Sequence, residues 1–125
     1  MSRIMIVDDD ATSAKFLARL VAGSGHEVES FQLGSEAIAR GRECPPDLLI
    51  TDWLLKDQLD GEGVVRAIRE VAPNLPVVVI SGLPRHHLLP SIRALGHATL
   101  VEKPIMFDAL QAQIDHGLAR EAHSG

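Results

Sequence analysis

The sequence predicts an α/β fold: a doubly wound parallel sheet with helices on both faces. Three observations predict it. Short apolar, β-branched runs recur along the chain: IMIV (Ile4–Val7), LLIT (Leu48–Thr51) and VVVI (Val77–Ile80). Helical patterns alternate with the strand-like runs, giving five β-then-α units. The three long runs are apolar throughout rather than alternating, as expected of strands buried on both faces.

The elements follow in order. Ile4–Val7 is the first strand. ATSAKFLARLVAG follows, with Thr12 or Ser13 as its cap and Phe16, Leu17, Leu20 and Val21 as its apolar stripe; Gly23 and Gly25 stop it. His26–Phe31 is the second strand. Ser35–Arg42 is a short helix ended by Pro45 and Pro46, with Gly41 also read as a stop signal. DLLITD is the third strand, and Gly63–Val71 is a helix closed off by Pro73. Val77–Ile80 is the fourth strand. Leu88–Leu95 is the next helix, distorted or delayed by Pro90. Thr99–Val101 is the fifth strand. Met106–Ala122 is the last helix, with Leu110, Ile114 and Leu118 on one face. Phe16, Phe31 and Phe107 read as core or partly buried packing.

A chain of 125 residues fits one domain, and 46% hydrophobic residues suffice for a real core. The net charge is −5 with no basic run, which argues against a nucleic-acid surface. Cys44 is the one cysteine and forms no internal disulfide, as suits a reducing compartment. Its place before two prolines reads as an unreactive loop or helix-end thiol. The start, MSRIMIVDDD, has too short an apolar segment to read as a signal peptide, and no window approaches the roughly 18 apolar residues of a membrane span. A cytoplasmic location is the expectation.

In a sheet of this kind the C-terminal strand ends open into a crevice where ligands bind. The residues at those ends are polar. Asp8, Asp9 and Asp10 follow the first strand, Asp52 ends the third, Ser81 the fourth, and Lys103 the fifth. Asp10 also reads as a helix cap. Asp60-Gly61 reads mainly as a turn, with Asp60 capping the next helix. Clustered carboxylates repel unless a cation intervenes, and a hard divalent ion such as Mg²⁺ fits oxygen ligands. A carboxylate can also act as a nucleophile toward phosphorus, giving an aspartyl-phosphate. A metal, a lysine and a hydroxyl would each hold one oxygen of the transferring phosphoryl group. Asp9, Asp52, Ser81 and Lys103 supply that set.

Taken together, IMIVDDD, LLITDW, the later LDG, VVVISG and EKP resemble the receiver domains of bacterial two-component response regulators. The resemblance covers nearly the whole chain. It implies a flavodoxin-like fold with sheet order 2-1-3-4-5. It implies Asp52 as phosphoacceptor, with Ser81 and Lys103 gripping the phosphoryl group. It also implies Mg²⁺ held by Asp8, Asp9, Asp52 and the backbone carbonyl of Leu54. The Lys103-Pro104 bond is often cis in that family.

The chain departs from the family pattern in four respects. Leu100 stands where an aromatic residue often swings inward on phosphorylation. LLKDQLDG is about one residue longer than the common form, with Lys56 near a usual proline. Leu54 and Leu83, two residues beyond Asp52 and Ser81, occupy positions that govern the approach of water to the phosphoryl group. PRHHLLPS replaces the usual start of the fourth helix, and His86 and His87 read as exposed loop residues rather than metal ligands.

The expected function is a phosphorylation-dependent switch rather than a dedicated enzyme. A sensor histidine kinase or phosphotransfer protein is the expected donor. A downstream protein would bind the fourth-helix and fifth-strand face, and pairing of two copies is a further expectation. An aspartyl-phosphate phosphatase is disfavoured by Leu54, which stands where such enzymes need a second acid. A pseudo-receiver, binding partners without phosphorylation, is the alternative. The chain ends after the fifth helix, as a stand-alone receiver or a fragment of a longer regulator or hybrid kinase would.

Overall fold

The computed structural model describes residues 2–55 and 60–124, with side chains as far as Ala119. Five strands and five helices alternate: β1 (Arg3–Val7), α1 (Ala11–Ala22), β2 (Glu27–Phe31), α2 (Gly34–Glu43), β3 (Leu48–Asp52), α3 (Gly61–Arg69), β4 (Val77–Ser81), α4 (Arg85–Leu95), β5 (Ala98–Glu102) and α5 (Phe107–Ser124). The strands form one parallel sheet in the order β2-β1-β3-β4-β5, as expected.

The sheet has two cores because side chains alternate along each strand. Met5, Val7, Leu49, Val79 and Leu100 pack on one face, with Val64 and Ile68 of α3 and Leu88 and Ile92 of α4. Ile4, Ile6, Ile50, Ile80 and Val101 pack on the other, with Leu17 and Val21 of α1 and Leu110 and Ile114 of α5. All five residues of β3 and of β4 are buried, which accounts for the unbroken apolar runs Leu48–Ile50 and Val77–Ile80 that lead to their polar ends.

Register brings the strand ends level. Val7 pairs with Thr51, Asp52 with Ile80, and Ser81 with Glu102. The next residues on from these pairs, Asp8 and Lys103, therefore flank Asp52 along one edge.

Several local expectations need correction. Phe16 is 51% exposed, because the inward face of α1 is set by Ala14, Leu17 and Val21 at spacings of three and four. Phe16 lies one residue, about 100°, off that face. Phe107 opens α5 and is 45% exposed, whereas Phe31 is partly buried. Asp10, not Thr12 or Ser13, is the N-cap of α1, and the Ser13 hydroxyl donates to Asp10 Oδ2 at 2.8 Å. Gly41 does not stop α2. It is buried within the helix, where a Cβ would meet Ile68 Cδ1 at 2.7 Å. α4 starts at Arg85, not Leu88, so His86 and His87 lie in its first turn, exposed as expected. Lys56 and the rest of residues 56–59 lie outside the described residues.

Asp60 caps α3 as expected, its Oδ1 accepting from the Gly63 N–H at 2.8 Å. Gly61 has a sharper role than a turn residue. Its N–H donates to the Trp53 carbonyl at 2.8 Å, and a Cβ there would sit 2.5 Å from the Asp52 carbonyl oxygen. That clash is with backbone, so no side-chain rotation relieves it. Gly61→Ala is expected to lower stability by about 2 kcal/mol and to push the start of α3 off the β3 end. Urea unfolding checks this; an unchanged midpoint would count against so close an approach.

Candidate functional site

The site is built on the C-terminal edge of the sheet. By alternation, Asp8 continues the face of Ile4 and Ile6, Asp52 that of Leu48 and Ile50, and Lys103 that of Val101. Those three side chains therefore converge on one side of the edge. Ser81 continues the face of Val77 and Val79 and approaches from the other.

Two carboxylates are held out of water. Asp8 is 1% exposed and Asp52 8%. Carboxylate oxygens of Asp8, Asp9 and Asp52 lie within 4.8 Å of one another. Lys103 Nζ donates to Asp52 Oδ2 at 3.1 Å. One Asp8 oxygen, Oδ1, accepts from the Asp10 N–H at 2.9 Å. The other, Oδ2, is buried without a hydrogen-bond partner. A buried carboxylate oxygen that faces other carboxylates and no donor is suited to a cation. All the side-chain donors are carboxylates, so the arrangement suits a hard divalent ion and not a soft one.

The titration of these groups reflects that crowding. Burial pushes the Asp8 carboxyl above its ordinary value; the Asp10 N–H opposes this, and the negative charge of Asp52 adds to it. Burial alone would lower Lys103. Its hydrogen bond to Asp52 and the charges of Asp52, Asp8 and Asp9 outweigh burial and raise it.

The backbone around Asp52 is tightly fixed. The Trp53 N–H donates to the Ile80 carbonyl at 3.0 Å, and the Thr51 hydroxyl donates to the Asp52 carbonyl at 3.0 Å. The Lys103 N–H donates to the Ser81 carbonyl at 2.9 Å, and the Lys103-Pro104 bond is cis. The Ser81 hydroxyl accepts from the Leu83 N–H at 3.0 Å. Leu54 is 57% exposed and Leu83 37%, both apolar side chains two residues beyond site positions.

A family model for the response regulator receiver domain matches residues 4–115. The chain belongs to that family. This receiver domain is 30% identical over 115 residues to the response regulator receiver protein CpdR of Brucella abortus, covering 92% of this chain and 95% of CpdR. It is 27% identical over 120 residues to the cell cycle transcriptional regulator CtrA of Caulobacter vibrioides, covering 96% of this chain but 51% of CtrA. It spans only 27% of the transcriptional regulatory protein ZraR of Salmonella typhimurium. Among solved structures, the receiver domain of NtrX from Brucella abortus superposes with a TM-score of 0.85 at 29% identity, covering 93% of this chain and 98% of that one. A receiver domain protein from Clostridium thermocellum reaches 0.90 over both full chains at 21% identity, a likeness in fold alone.

The sequence had singled out Asp8, Asp9, Asp52, Ser81 and Lys103; of these, the structure joins the three carboxylates and Lys103 by short distances. Thr51 and Gly61 at the Asp52 backbone were missed as supports. Nothing in a lone threonine points to its carbonyl contact. The Asp-Gly pair signalled a turn but not the close approach to β3. Among the described residues no helix is long and apolar enough to cross a membrane.

Proposed function

We propose that this receiver domain is a phosphorylation-dependent switch of the cytoplasm whose phosphoacceptor is Asp52. The observation that carries the reading is the pairing of Lys103 Nζ with Asp52 Oδ2 at 3.1 Å beside the unpartnered Asp8 Oδ2. One cation is already in place, and the geometry asks for a second.

Asp8, Asp9, Asp52 and the main-chain carbonyl of Leu54 would hold Mg²⁺, which would neutralise charge on the carboxylates and on incoming phosphoryl oxygens. The chain's own groups do the rest. An Asp52 oxygen attacks phosphorus while the bond from phosphorus to the donor's histidine nitrogen breaks, and the nitrogen keeps that electron pair. The Lys103 ammonium moves its hydrogen bond from the carboxylate to a phosphoryl oxygen. The Ser81 hydroxyl turns to donate to another. The donor is a sensor histidine kinase or phosphotransfer protein. The new charge then biases two arrangements of the α4–β5 face, which binds a protein target or a second copy.

Leu54 and Leu83 leave the attacking water without a polar partner. Replacing both with polar residues, Leu54→Asn and Leu83→Asn, is expected to speed dephosphorylation about tenfold, toward the range of a positioned polar group. Phosphate release after a single phosphorylation reads this, and an unchanged rate would remove these positions from the account.

Trp53, adjacent to Asp52 and 9% exposed, is the natural probe. Its fluorescence is expected to change with Mg²⁺ and to change further with beryllofluoride, with the second step lost in Asp52→Asn. A flat response would favour a pseudo-receiver that binds partners unmodified.

A further inference from the structure

The two ends of α4 are held very differently. At the C-terminal end, the Arg69 guanidinium reaches across from α3. It donates to the carbonyls of Leu95 at 2.5 Å, Gly96 at 2.8 Å and His97 at 3.3 Å, and to Leu75 at 2.8 Å. A helix leaves its last carbonyls without internal partners, so one cation satisfies the helix end and the turn after it together. That turn is closely specified, with Gly96 at φ 68° and His97 at φ 48°.

The N-terminal end has Leu88 buried, but its ion pair, Arg85 to Glu102, is 3.9 Å long with both side chains about half exposed. Such a contact restrains little in water. Between the ends lies Pro90. It has no N–H to give the His86 carbonyl, its ring crowds that carbonyl, and it disfavours helical geometry at Leu89.

We propose that α4 is a hinged helix. Residues 85–89 pivot at Pro90 as the moving part of the switch, while residues 91–95 stay locked to α3 and to the turn before β5 through Arg69. The trigger rests on the phosphoacceptor reading above; the hinge itself does not. Two links run from the loose half and the loop before it to the site. The Leu83 N–H, two residues before α4, donates to the Ser81 hydroxyl, and Glu102, the partner of Arg85, adjoins Lys103. Leu100 packs in the same core cluster as Leu88 and Ile92, so a shift of the loose half is felt at β5.

Amide hydrogen exchange of the free protein, read residue by residue, tests the hinge. Leu88 and Leu89 come far enough into α4 to have an i−4 carbonyl available, so frayed first-turn amides do not confuse the comparison. They are expected to exchange at least about tenfold faster than Ala94 and Leu95, whose i−4 carbonyls lie at or beyond Pro90. Pro90→Ala is expected to bring the two sets to within about threefold. Arg69→Gln is expected to speed the second set while Val79 in β4, the reference for global opening, holds its rate relative to Ile50 in β3. Beryllofluoride with Mg²⁺ is expected to change only the first set. Equal rates for the two sets in the free protein, or a difference that survives Pro90→Ala, would overturn the hinge. If Trp53 ignores beryllofluoride, the phosphoacceptor reading falls, and exchange in the free protein still decides the hinge.

Discussion

Lys103→Met is expected to slow phosphorylation of Asp52 by acetyl phosphate by about a hundredfold, the scale of losing one aimed donor to a developing anion. The reason is local. Lys103 Nζ lies 3.1 Å from Oδ2 of Asp52, the proposed phosphoacceptor, and is the cation among that residue's contacts. Methionine keeps much of the side chain's apolar length, so packing against the strand end survives. Metal binding should not fall with it. Without the ammonium, the three carboxylates lose a competing positive charge, and Mg²⁺ is expected to bind as tightly or more tightly. The signature is a split: a slow phosphorylation rate with an intact Mg²⁺ titration of Trp53 fluorescence. A rate within threefold of the parent would contradict the assigned role, and loss of both readouts would point to a damaged fold.

Asp8→Asn carries the second large effect, and its sign is unusual: stability rises while a function is lost. Asp8 is buried beside Asp9 and Asp52, and its Oδ2 has no donor. The metal-free protein is expected to gain about 1–3 kcal/mol, the cost of an unpaired buried polar oxygen. Affinity for Mg²⁺ is expected to fall on the order of tenfold or more, since a unit charge near a divalent ion is worth several kcal/mol at intermediate dielectric. The pH dependence follows from the direction of the shift. The Asp8 carboxyl titrates above its ordinary value in the folded state, mainly because it is buried. A group raised on folding contributes stability below its unfolded value, about 3.9, and loses that contribution as pH rises through its folded value. The metal-free protein should therefore lose stability above about pH 4. Asp8→Asn should lack that loss, and Mg²⁺ should reverse it in the parent. Thermal melts across pH, with and without Mg²⁺, read all three. An Asp8→Asn protein less stable than its parent without metal would contradict the crowded-carboxylate account.

How much of this was legible in the sequence follows from what each signal encodes. The buried parallel sheet and the strand-end site are readable because β3 and β4 are runs of buried, mostly apolar residues closed by Asp52 and Ser81; the strand order comes from the family resemblance. A polar residue closing a buried run has little alternative but the crevice. Helix faces were less legible. Phe16 is apolar and so reads as inward, but Ala14, Leu17 and Val21 already fill the inward face. Gly41 reads as a stop, yet its missing side chain admits Ile68 from α3, a contact between elements far apart in sequence. Pro90 points to a late start for α4, whereas the helix-compatible residues before it carry the helix back to Arg85. Arg69 carried no signal at all. Its four carbonyl partners come from two turns that only the fold brings together. Local pattern records which side of an element is buried far better than it records what the other side of the contact is.

The central claim is that Asp52 takes up a phosphoryl group. Intact mass after incubation with acetyl phosphate and Mg²⁺ tests it most directly, with Asp52→Asn alongside. The account predicts one added phosphoryl group on the parent, none on Asp52→Asn, and loss of the addition when Mg²⁺ is chelated beforehand. An unmodified parent, or an equal addition to Asp52→Asn, would contradict it.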